Sequence, residues 1–527
     1  MNKLTGHDQS VFSNEHALMS APFAYDVVDY PSTALAQAHP SHLHAIARMF
    51  GCPAAPVERC RVLEAGCGDG LHLIACAVGL PESTFVGIDL STMAVQRGNR
   101  MIAELGLENV TLHASDVTAW MPPAKPFDYA IAHGLYSWVP SFVRDAVLKL
   151  FATTLAPTGI GYVSYNTFPG CHIRRMLWDM LKFHSAAEED PAAKIRQAVE
   201  MAQFLMAGWP APKETGMALL KTELEAVLEK RNQQVLYHDD LSATNDPAYF
   251  HEFAAHARQF GMRFVAEAEP HLMETRGFPK DVANVLNGLA SQDVLLKEQY
   301  LDFLLVRRFR QTLLAIDGRP PREDPTPAAI TELFLSGKPK AEGDTIDLAP
   351  GVAVTFRATR NAVIRTDLPI GKAALEIIAA TWPGRILFSD LFQQASVKIG
   401  QLNPDPQDMT RLAELLSAVW MAGMIELHGH QPTYREIVAE RPKVCPLARL
   451  QARLGPMVTN RLHETMRFED VPSRKLLDLL DGTRDRTQIA AELMNSFPPD
   501  QRPTPAALLT GLDRNLERLA KSGLLVD

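Results

Sequence analysis

The sequence has few cysteines and none of the paired spacings that hold zinc or redox centres. Its six cysteines form no CxxC pair, so we interpret them as reduced structural thiols and predict no metal site. Long apolar runs are also missing, since none approaches the ~20 residues that cross a bilayer. The N-terminal stretch MNKLTGHDQSVFSNEH lacks the apolar core of a signal peptide. Together these absences predict a cytoplasmic protein without a membrane span.

Basic stripes of the kind that bind nucleic acid are missing as well. Acidic residues outnumber basic ones by 61 to 52, for a net charge of -9, and no long Lys/Arg run could neutralise a phosphate backbone. We therefore predict no nucleic-acid partner. The histidine pair in HEFAAH, His251 and His256, has the wrong spacing for a metal site, because residues five apart point about 140° apart around a helix.

Alternating strands and helices are present from residue 61 and predict a parallel α/β sheet. Polar and proline-rich stretches after the fifth strand flank a helical insertion, assigned to 186–261. We predict a Rossmann-like core over 1–185 that is completed by late strands within 262–316. The predicted strands are 61–65, 84–90, 110–116, 127–133, 159–166, 262–270 and 307–316.

The C-terminal part contains a weak internal repeat that predicts two winged-helix-like α+β modules. The linker IDGRPPREDPTP precedes them, and we assign the modules to 328–430 and 440–527. Each copy has an amphipathic helix, a glycine turn, a second helix, and a longer helix that runs into a short strand. Neither copy has a basic recognition helix, so we expect protein contact or self-association, including a homodimer, rather than DNA binding.

The stretch LEAGCGDG places Gly66, Gly68 and Gly70 between the first strand and the next helix. Glycines at such a junction let a ligand lie against bare backbone. The spacing is neither GxGxxG nor a P-loop ending in GK[ST], so phosphate capture is not indicated. Glu64 and Asp69 offer acceptors for an ammonium group. S-adenosylmethionine, which has an amino-acid end and a nucleoside end, fits this pattern.

Carboxylates at the next two strand ends extend the same site. Asp89 ends the second strand at the distance where a carboxylate accepts the ribose hydroxyls, with Leu90 beside it. Asp116 ends the third strand, where it can accept from an adenine amino group while Val117 packs on the ring. Ligands gather at the carboxyl ends of parallel strands. The three strand ends therefore predict a methyl-donor site.

The acceptor side is predicted at the ends of the fourth and fifth strands. No (N/D)PPY turn is present there, so adenine or glutamine is not the expected acceptor. His133 borders the donor, and Tyr136 and Trp138 can line a slot for an alkyl-ammonium group. Asn166 reaches the same cleft from the fifth strand, and His172 is a candidate general base, although a structural role for it remains open.

The segment FAYDVVDYPS, residues 23–32, precedes the first strand. A segment at this position commonly folds over the donor site. We therefore include Tyr25 among the candidate donor-binding residues, with hydrophobic packing as the alternative explanation.

Several stretches together resemble the bacterial class I methyltransferases that carry a methyltransferase regulatory domain. They are YDVVDYPS, CRVLEAGCGDG, FVGIDLS, AHGLYSWVP, YVSYNTFPG, YFHEFAAHARQFGMRFVAEAEP and RRFRQTLL. That family is similar to the rickettsial outer-membrane-protein lysine methyltransferases, which combine a Rossmann-like core, an inserted dimerisation region and C-terminal winged-helix-like domains. The resemblance implies that Glu64, Gly66, Gly68 and Asp89 hold the donor, and that Tyr136 and Trp138 border the acceptor slot.

The sequence therefore predicts an S-adenosylmethionine-dependent methyltransferase that releases S-adenosylhomocysteine. Its expected acceptor is an amine, with protein lysine as the leading interpretation, because a chain of 527 residues is far larger than small-molecule methylation requires. Two alternatives stay open: N- or O-methylation of a small molecule, and a donor-binding regulatory protein without catalysis.

Overall fold

The structure of the protein is a computed structural model. It describes residues 23–209, 215–229, 233–316, 318, 322–343, 345–358, 362–401, 403, 405–497 and 502–527. Among these residues, no helix combines the length and apolarity that crossing a bilayer requires.

A seven-stranded sheet forms the centre of the molecule, in the order β3-β2-β1-β4-β5-β7-β6. The first five strands are parallel, whereas β7 runs antiparallel to both of its neighbours. Strands near the centre are buried on both faces, which explains their near-continuous apolar sequence. The strands are β1 Arg61–Ala65, β2 Thr84–Asp89, β3 Val110–Ala114, β4 Phe127–Ala132, β5 Leu155–Asn166, β6 Arg263–Glu267 and β7 Phe309–Ala315.

Helices cover the sheet, and their ends match the capping signals in the sequence. The helix after β2, for example, begins where the Ser91 side chain accepts from Ala94 N and ends at Gly106 in the left-handed region. The helices around the sheet are α1 Ala24–Val27, α2 Pro40–Met49, α3 Leu71–Gly79, α4 Thr92–Leu105, α5 Ser141–Thr154, α10 Phe250–Gln259, α11 Lys280–Ala290 and α12 Val294–Leu305.

Four helices between β5 and β6 pack around an apolar cluster of their own, which includes Leu177, Leu181 and Ile195. They are α6 Gly170–His184, α7 Pro191–Gly208, α8 Thr215–Glu229 and α9 Gln233–Asp240. This unit starts before the boundary predicted at 186. Conversely α10, which the prediction included in the insertion, packs in the apolar clusters of the sheet.

The first C-terminal module has the winged-helix order of helix, strand, two helices and strand. One three-stranded sheet has the order β12-β8-β13, and a second has the order β11-β10-β9. The module contacts the core at α2, where Gly429 N donates to Ser41 O over 2.9 Å. Its elements are β8 Phe334–Gly337, β9 Lys340–Ala341, β10 Val354–Arg357, β11 Val363–Thr366, α13 Pro369–Thr381, β12 Ile386–Leu387, α14 Phe388–Lys398, α15 Pro406–Met421 and β13 Ile425–His428.

The second C-terminal module packs directly on the helix that follows the glycine loop. Leu71 and Ile74 of α3 belong to its apolar cluster, and Arg461 Nη1 donates to Val78 O over 2.7 Å. The predicted fold class, an α/β core with a helical insertion and two winged-helix-like modules, is confirmed. The module consists of β14 Lys443–Val444, α16 Pro446–Leu454, β15 Met457–Thr459, β16 Thr465–Arg467, α17 Val471–Leu479, α18 Arg486–Met494, α19 Pro505–Lys521 and β17 Leu525–Val526.

Candidate methyl-donor site

The glycine loop between β1 and α3 exposes its backbone at one point. Gly66, Gly68 and Gly70 have φ angles of 74°, 58° and 70°, all in the left-handed region that favours glycine. A Cβ at Gly66 or Gly70 would press on Leu135 or Leu112, whereas a Cβ at Gly68 would meet no described atom within 4 Å. The space over Gly68 is therefore open to a ligand.

The Glu64 carboxylate lies at the end of β1, beside this loop. It is 3% exposed, and its Oε2 has no hydrogen-bond partner among the described residues. Burial raises the pKa of Glu64 well above its usual range, and Asp89 and Asp69 raise it further. A buried acceptor without a donor is costly unless a ligand supplies one. An ammonium group would satisfy it, which is the fit that the methyl donor requires.

Asp89 locks the loop to the end of β2. One carboxylate oxygen accepts from Gly68 N and the other from Ser91 N, each over 2.8 Å. Burial raises the pKa of Asp89, although these two bonds favour the ionised form. Each oxygen keeps a second lone pair, so Asp89 can still accept from a ribose hydroxyl. The Asp69 carboxylate accepts from Leu71 N at Oδ1 over 3.1 Å and is also hydrogen-bonded to Ser32 of the N-terminal segment.

The end of β3 provides the more open side of the site. Asp116 Oδ1 accepts from the backbone N and the hydroxyl of Thr118, both over 2.8 Å, so Oδ2 remains available to a ligand. Val117 is half-buried, and Leu90 is 52% exposed. A carboxylate oxygen and two partly exposed apolar side chains are therefore accessible at this strand end.

The N-terminal segment lies against this site and is held there by the helical insertion. Tyr25 stacks on His238 with ring centroids 4.1 Å apart. Burial raises the pKa of Tyr25 to about 12, with further contributions from Asp239 and Asp89. Asp26, which the sequence analysis missed, accepts from the Ser91 hydroxyl over 2.6 Å. Its only sequence signal is its position next to Tyr25.

His133 follows β4, on the side of the sheet end where the acceptor is expected. Its Nδ1 lies 3.0 Å from the Tyr162 hydroxyl, and the Phe309 ring meets it edge-on. Burial lowers the pKa of His133 to about 4, so its imidazole is neutral near pH 7. The next residue, Gly134, has a φ of 61° and open space around it.

Tyr136 and Trp138 lie on a 3-10 turn, Tyr136–Trp138, but face different surroundings. Tyr136 is buried in an apolar cluster, and its hydroxyl lies 2.7 Å from His256 Nδ1. His256 Nε2 in turn lies 2.8 Å from Asp145 Oδ1. This hydroxyl is therefore engaged by α10, whose His256 connects it to the exposed Asp145. Trp138 is half-buried.

Asn166 is the last residue of β5, and His172 follows in the first turn of α6. Asn166 Nδ2 donates to Asn245 Oδ1 over 3.0 Å, and its backbone N donates to Ser137 Oγ. His172 is exposed and stacks on Phe168 at 4.0 Å, with Nε2 3.2 Å from the Tyr249 hydroxyl. His172 therefore belongs to a cluster of rings with Phe168 and Tyr249.

Comparison with known families assigns most of the chain. The family described as "Methyltransferase domain" matches residues 56–231, and "Predicted methyltransferase regulatory domain" matches 232–315. The family "PKMT, C-terminal winged helix domain" matches 440–501.

Two Rickettsia prowazekii proteins are similar to the chain in sequence. RP789 is 30% identical over 480 residues, which cover 89% of this chain and 85% of that protein. RP028 is 30% identical over 236 residues, which cover 45% of this chain and 94% of that protein.

A solved structure shares the whole architecture. PKMT2 from Rickettsia typhi superimposes with a TM-score of 0.81 at 25% identity, and the match covers 94% of this chain and all of that one. The same protein in complex with AdoHcy gives a TM-score of 0.80.

Proposed function

Because the chain belongs to the family of S-adenosylmethionine-dependent methyltransferases with a regulatory domain and a PKMT winged-helix domain, we propose that it methylates protein lysine. The observation that supports the donor site is the buried Glu64 carboxylate beside the open backbone of Gly68, since its Oε2 has no hydrogen-bond partner within the described part of the chain. The lysine acceptor is supported by the match to PKMT2 over nearly the whole chain.

The donor would be held by the residues already described. Glu64 accepts from its ammonium group, Asp89 from its ribose hydroxyls and Asp116 from its adenine. When bound, S-adenosylmethionine would supply an electrophilic methyl group for in-line transfer to an acceptor nitrogen, and S-adenosylhomocysteine would be the leaving group.

The acceptor nitrogen must lose a proton before it can attack. Desolvation lowers the pKa of an amine, so this proton can pass to solvent, and the Phe309 ring meets His133 edge-on beside the predicted acceptor slot. The imidazole of His133 is neutral near pH 7, and its Nδ1 lies 3.0 Å from the Tyr162 hydroxyl. With a pKa of about 4 it is a weak base. We propose that it orients the acceptor nitrogen through a hydrogen bond, and that Trp138, Asn166 and His172 contact the acceptor at the entrance to the slot. Tyr136 supports the turn that carries Trp138.

Labelled methyl transfer tests the proposal. The purified full chain is incubated with methyl-labelled S-adenosylmethionine and a lysine-rich acceptor protein, and the product is digested and analysed by mass spectrometry. Methyl-lysine in the wild-type reaction, lost with Glu64→Gln, supports protein lysine methylation. Transfer to free amines or phenols alone would favour a small-molecule methyltransferase. Donor binding with no transfer would favour the regulatory alternative.

A second copy of the chain is the partner that we propose for the helical insertion. Phe183 and Phe204, on α6 and α7, are 84% and 70% exposed, and exposed aromatic side chains often mark an interface. Light scattering on the wild-type protein should give twice the mass of one chain. The Phe183→Ser/Phe204→Ser variant should give a single chain. A monomeric wild type would refute the dimer without affecting the methyl-transfer proposal.

A further inference from the structure

Three histidines and a cysteine meet where the N-terminal segment, the donor-binding helix and the second C-terminal module come together. One ligand atom each of His39, Cys76 and His463 lies within 4.8 Å of the others. His39 precedes α2, Cys76 is in α3, and His463 is in the turn between β15 and β16. We propose that these three residues bind a zinc ion that fastens the second module to the methyltransferase core.

The ligand chemistry favours zinc over harder cations. A thiolate with imidazoles is a typical zinc donor set, whereas calcium and magnesium prefer oxygen ligands. Ligand atoms around a tetrahedral zinc lie roughly 3.3–3.8 Å apart, so small side-chain rotations would bring these three ligands to the ion, with a water molecule as the fourth ligand. A cavity of about 20 Å³ borders His39 and His463, which is enough for one water-sized species.

His72 adds the outer contact that zinc-binding histidines usually have. Its Nδ1 accepts from Leu35 N over 3.3 Å and lies 2.9 Å from His463 Nε2. Because this Nδ1 is an acceptor, the proton belongs to His463 Nε2, which leaves the lone pair of His463 Nδ1 for the ion. An imidazole that donates its second N–H in this way is oriented for metal binding.

His463 lies in the hairpin turn between β15 and β16, where its backbone N donates to Asn460 O over 3.2 Å. Its φ angle of 65° is the left-handed turn position that such hairpins use. Its imidazole meets the rings of both His39 and His72 edge-on.

Two features oppose zinc binding, and the interactions with the ion and with the Cys76 thiolate outweigh them. His39 Nδ1 accepts from Ser41 N over 3.0 Å, so metal binding requires His39 to give up this cap or shift its proton. A single helix cap contributes far less than a structural zinc ion does. The Arg385 guanidinium lies near His39 and His463, and the negative charge of a Cys76 thiolate offsets it.

Metal analysis of the full chain tests the inference without any methyl acceptor. Protein expressed with zinc and purified without a metal-affinity step should contain about one zinc per chain. The metal-free protein titrated with Co²⁺ should develop a thiolate-to-cobalt charge-transfer band. Cys76→Ser should lose this band, whereas Cys60→Ser, which removes a buried cysteine elsewhere, should keep it. Removing the outer contact with His72→Leu should weaken zinc binding about 10- to 100-fold.

If Cys76→Ser does not fold, His463→Gln gives the same test, with the loss of bound zinc as the readout. Zinc should also raise the thermal midpoint of the metal-free wild type but not of His463→Gln. A wild type with less than a tenth of an ion per chain, or a cobalt spectrum without the charge-transfer band, would overturn the inference.

Discussion

At the scale of single residues, Glu64 is the group on which donor binding depends most directly. Replacing it by Gln keeps its shape but removes the charge that an ammonium group needs. A charge-assisted hydrogen bond contributes about 1.5–3 kcal/mol, so Glu64→Gln should weaken S-adenosylmethionine binding about 10- to 100-fold in calorimetry. Glu82→Gln, which changes an exposed carboxylate paired with Arg59, should leave the affinity unchanged.

The raised pKa of Glu64 also makes donor binding depend on pH. In the donor-free protein the carboxyl stays protonated above its usual range, whereas an ammonium group binds the ionised form. Donor binding should therefore release a proton, and the affinity for S-adenosylmethionine should fall as the pH drops through the pKa of Glu64 in the donor-free protein. Calorimetry in buffers of different ionisation enthalpy measures the released proton. Equal heats in all buffers, or the same dependence in Glu64→Gln, would contradict this assignment.

We expect Tyr162 to act through His133 and not through the donor. Its hydroxyl lies 3.0 Å from His133 Nδ1, so Tyr162→Phe frees the imidazole to rotate. We expect kcat to fall about 10- to 100-fold, in the range that misplacing an orienting group costs, with donor affinity unchanged. Tyr165→Phe is the matched control, because it removes a buried hydroxyl on the same strand that faces Thr312 instead. Parallel losses of kcat and donor affinity would show that the tyrosine only supports the fold.

At the scale of elements, one buried arginine joins β6, β7 and α12. Arg310 Nη1 lies 2.6 Å from Glu267 Oε1, and Nη2 lies 2.9 Å from Asp302 Oδ1. Removing one member of a buried ion cluster costs about 3–5 kcal/mol, since the remaining charges are left unpaired. Arg310→Leu should lower the free energy of unfolding by that amount in denaturant titrations. Arg59→Leu, which breaks an exposed pair with Glu82, should cost no more than ~1 kcal/mol.

The sequence predicted the elements around the donor better than their contacts. Strand periodicity and the glycine loop identified the sheet and the open backbone at Gly68, because both are local patterns. The direction of the Tyr136 hydroxyl depends on α10, which supplies His256 from far along the chain. The start of the insertion was equally hidden, since α6 has the amphipathic pattern of a core helix and its packing partners lie in α7 and α8. Asp26 could not be assigned from the sequence, because its partner Ser91 already has a local role as the N-cap of α4.

At the scale of the whole molecule, two neutral histidines lie in the junction between the core and the first C-terminal module. Burial lowers the pKa of His42 and His428. His42 Nε2 donates to Ala268 O over 2.6 Å, and His428 Nε2 lies 2.8 Å from Ser336 Oγ. Arg385 in the same junction lowers the pKa of both further, while Glu426 and Glu269 partly raise that of His42.

This junction should lose stability on acidification, and the direction follows from proton binding. Below an unfolded-state pKa of about 6.5 the unfolded chain takes up protons that the folded histidines cannot, so the free energy of unfolding falls with pH. Each such histidine lowers the free energy of unfolding by about 1.4 kcal/mol for each pH unit of acidification. The loss begins near pH 6.5 and continues until the pH reaches the lowered folded-state pKa values, so hydrogen exchange at pH 5.5 should increase first in α2 and β13. His428→Gln should reduce the slope of the free energy of unfolding against pH by the amount that corresponds to about one proton. His184→Gln replaces an exposed histidine outside the junction and should not change the slope. Equal slopes in the wild type and His428→Gln would assign the acid sensitivity to other groups.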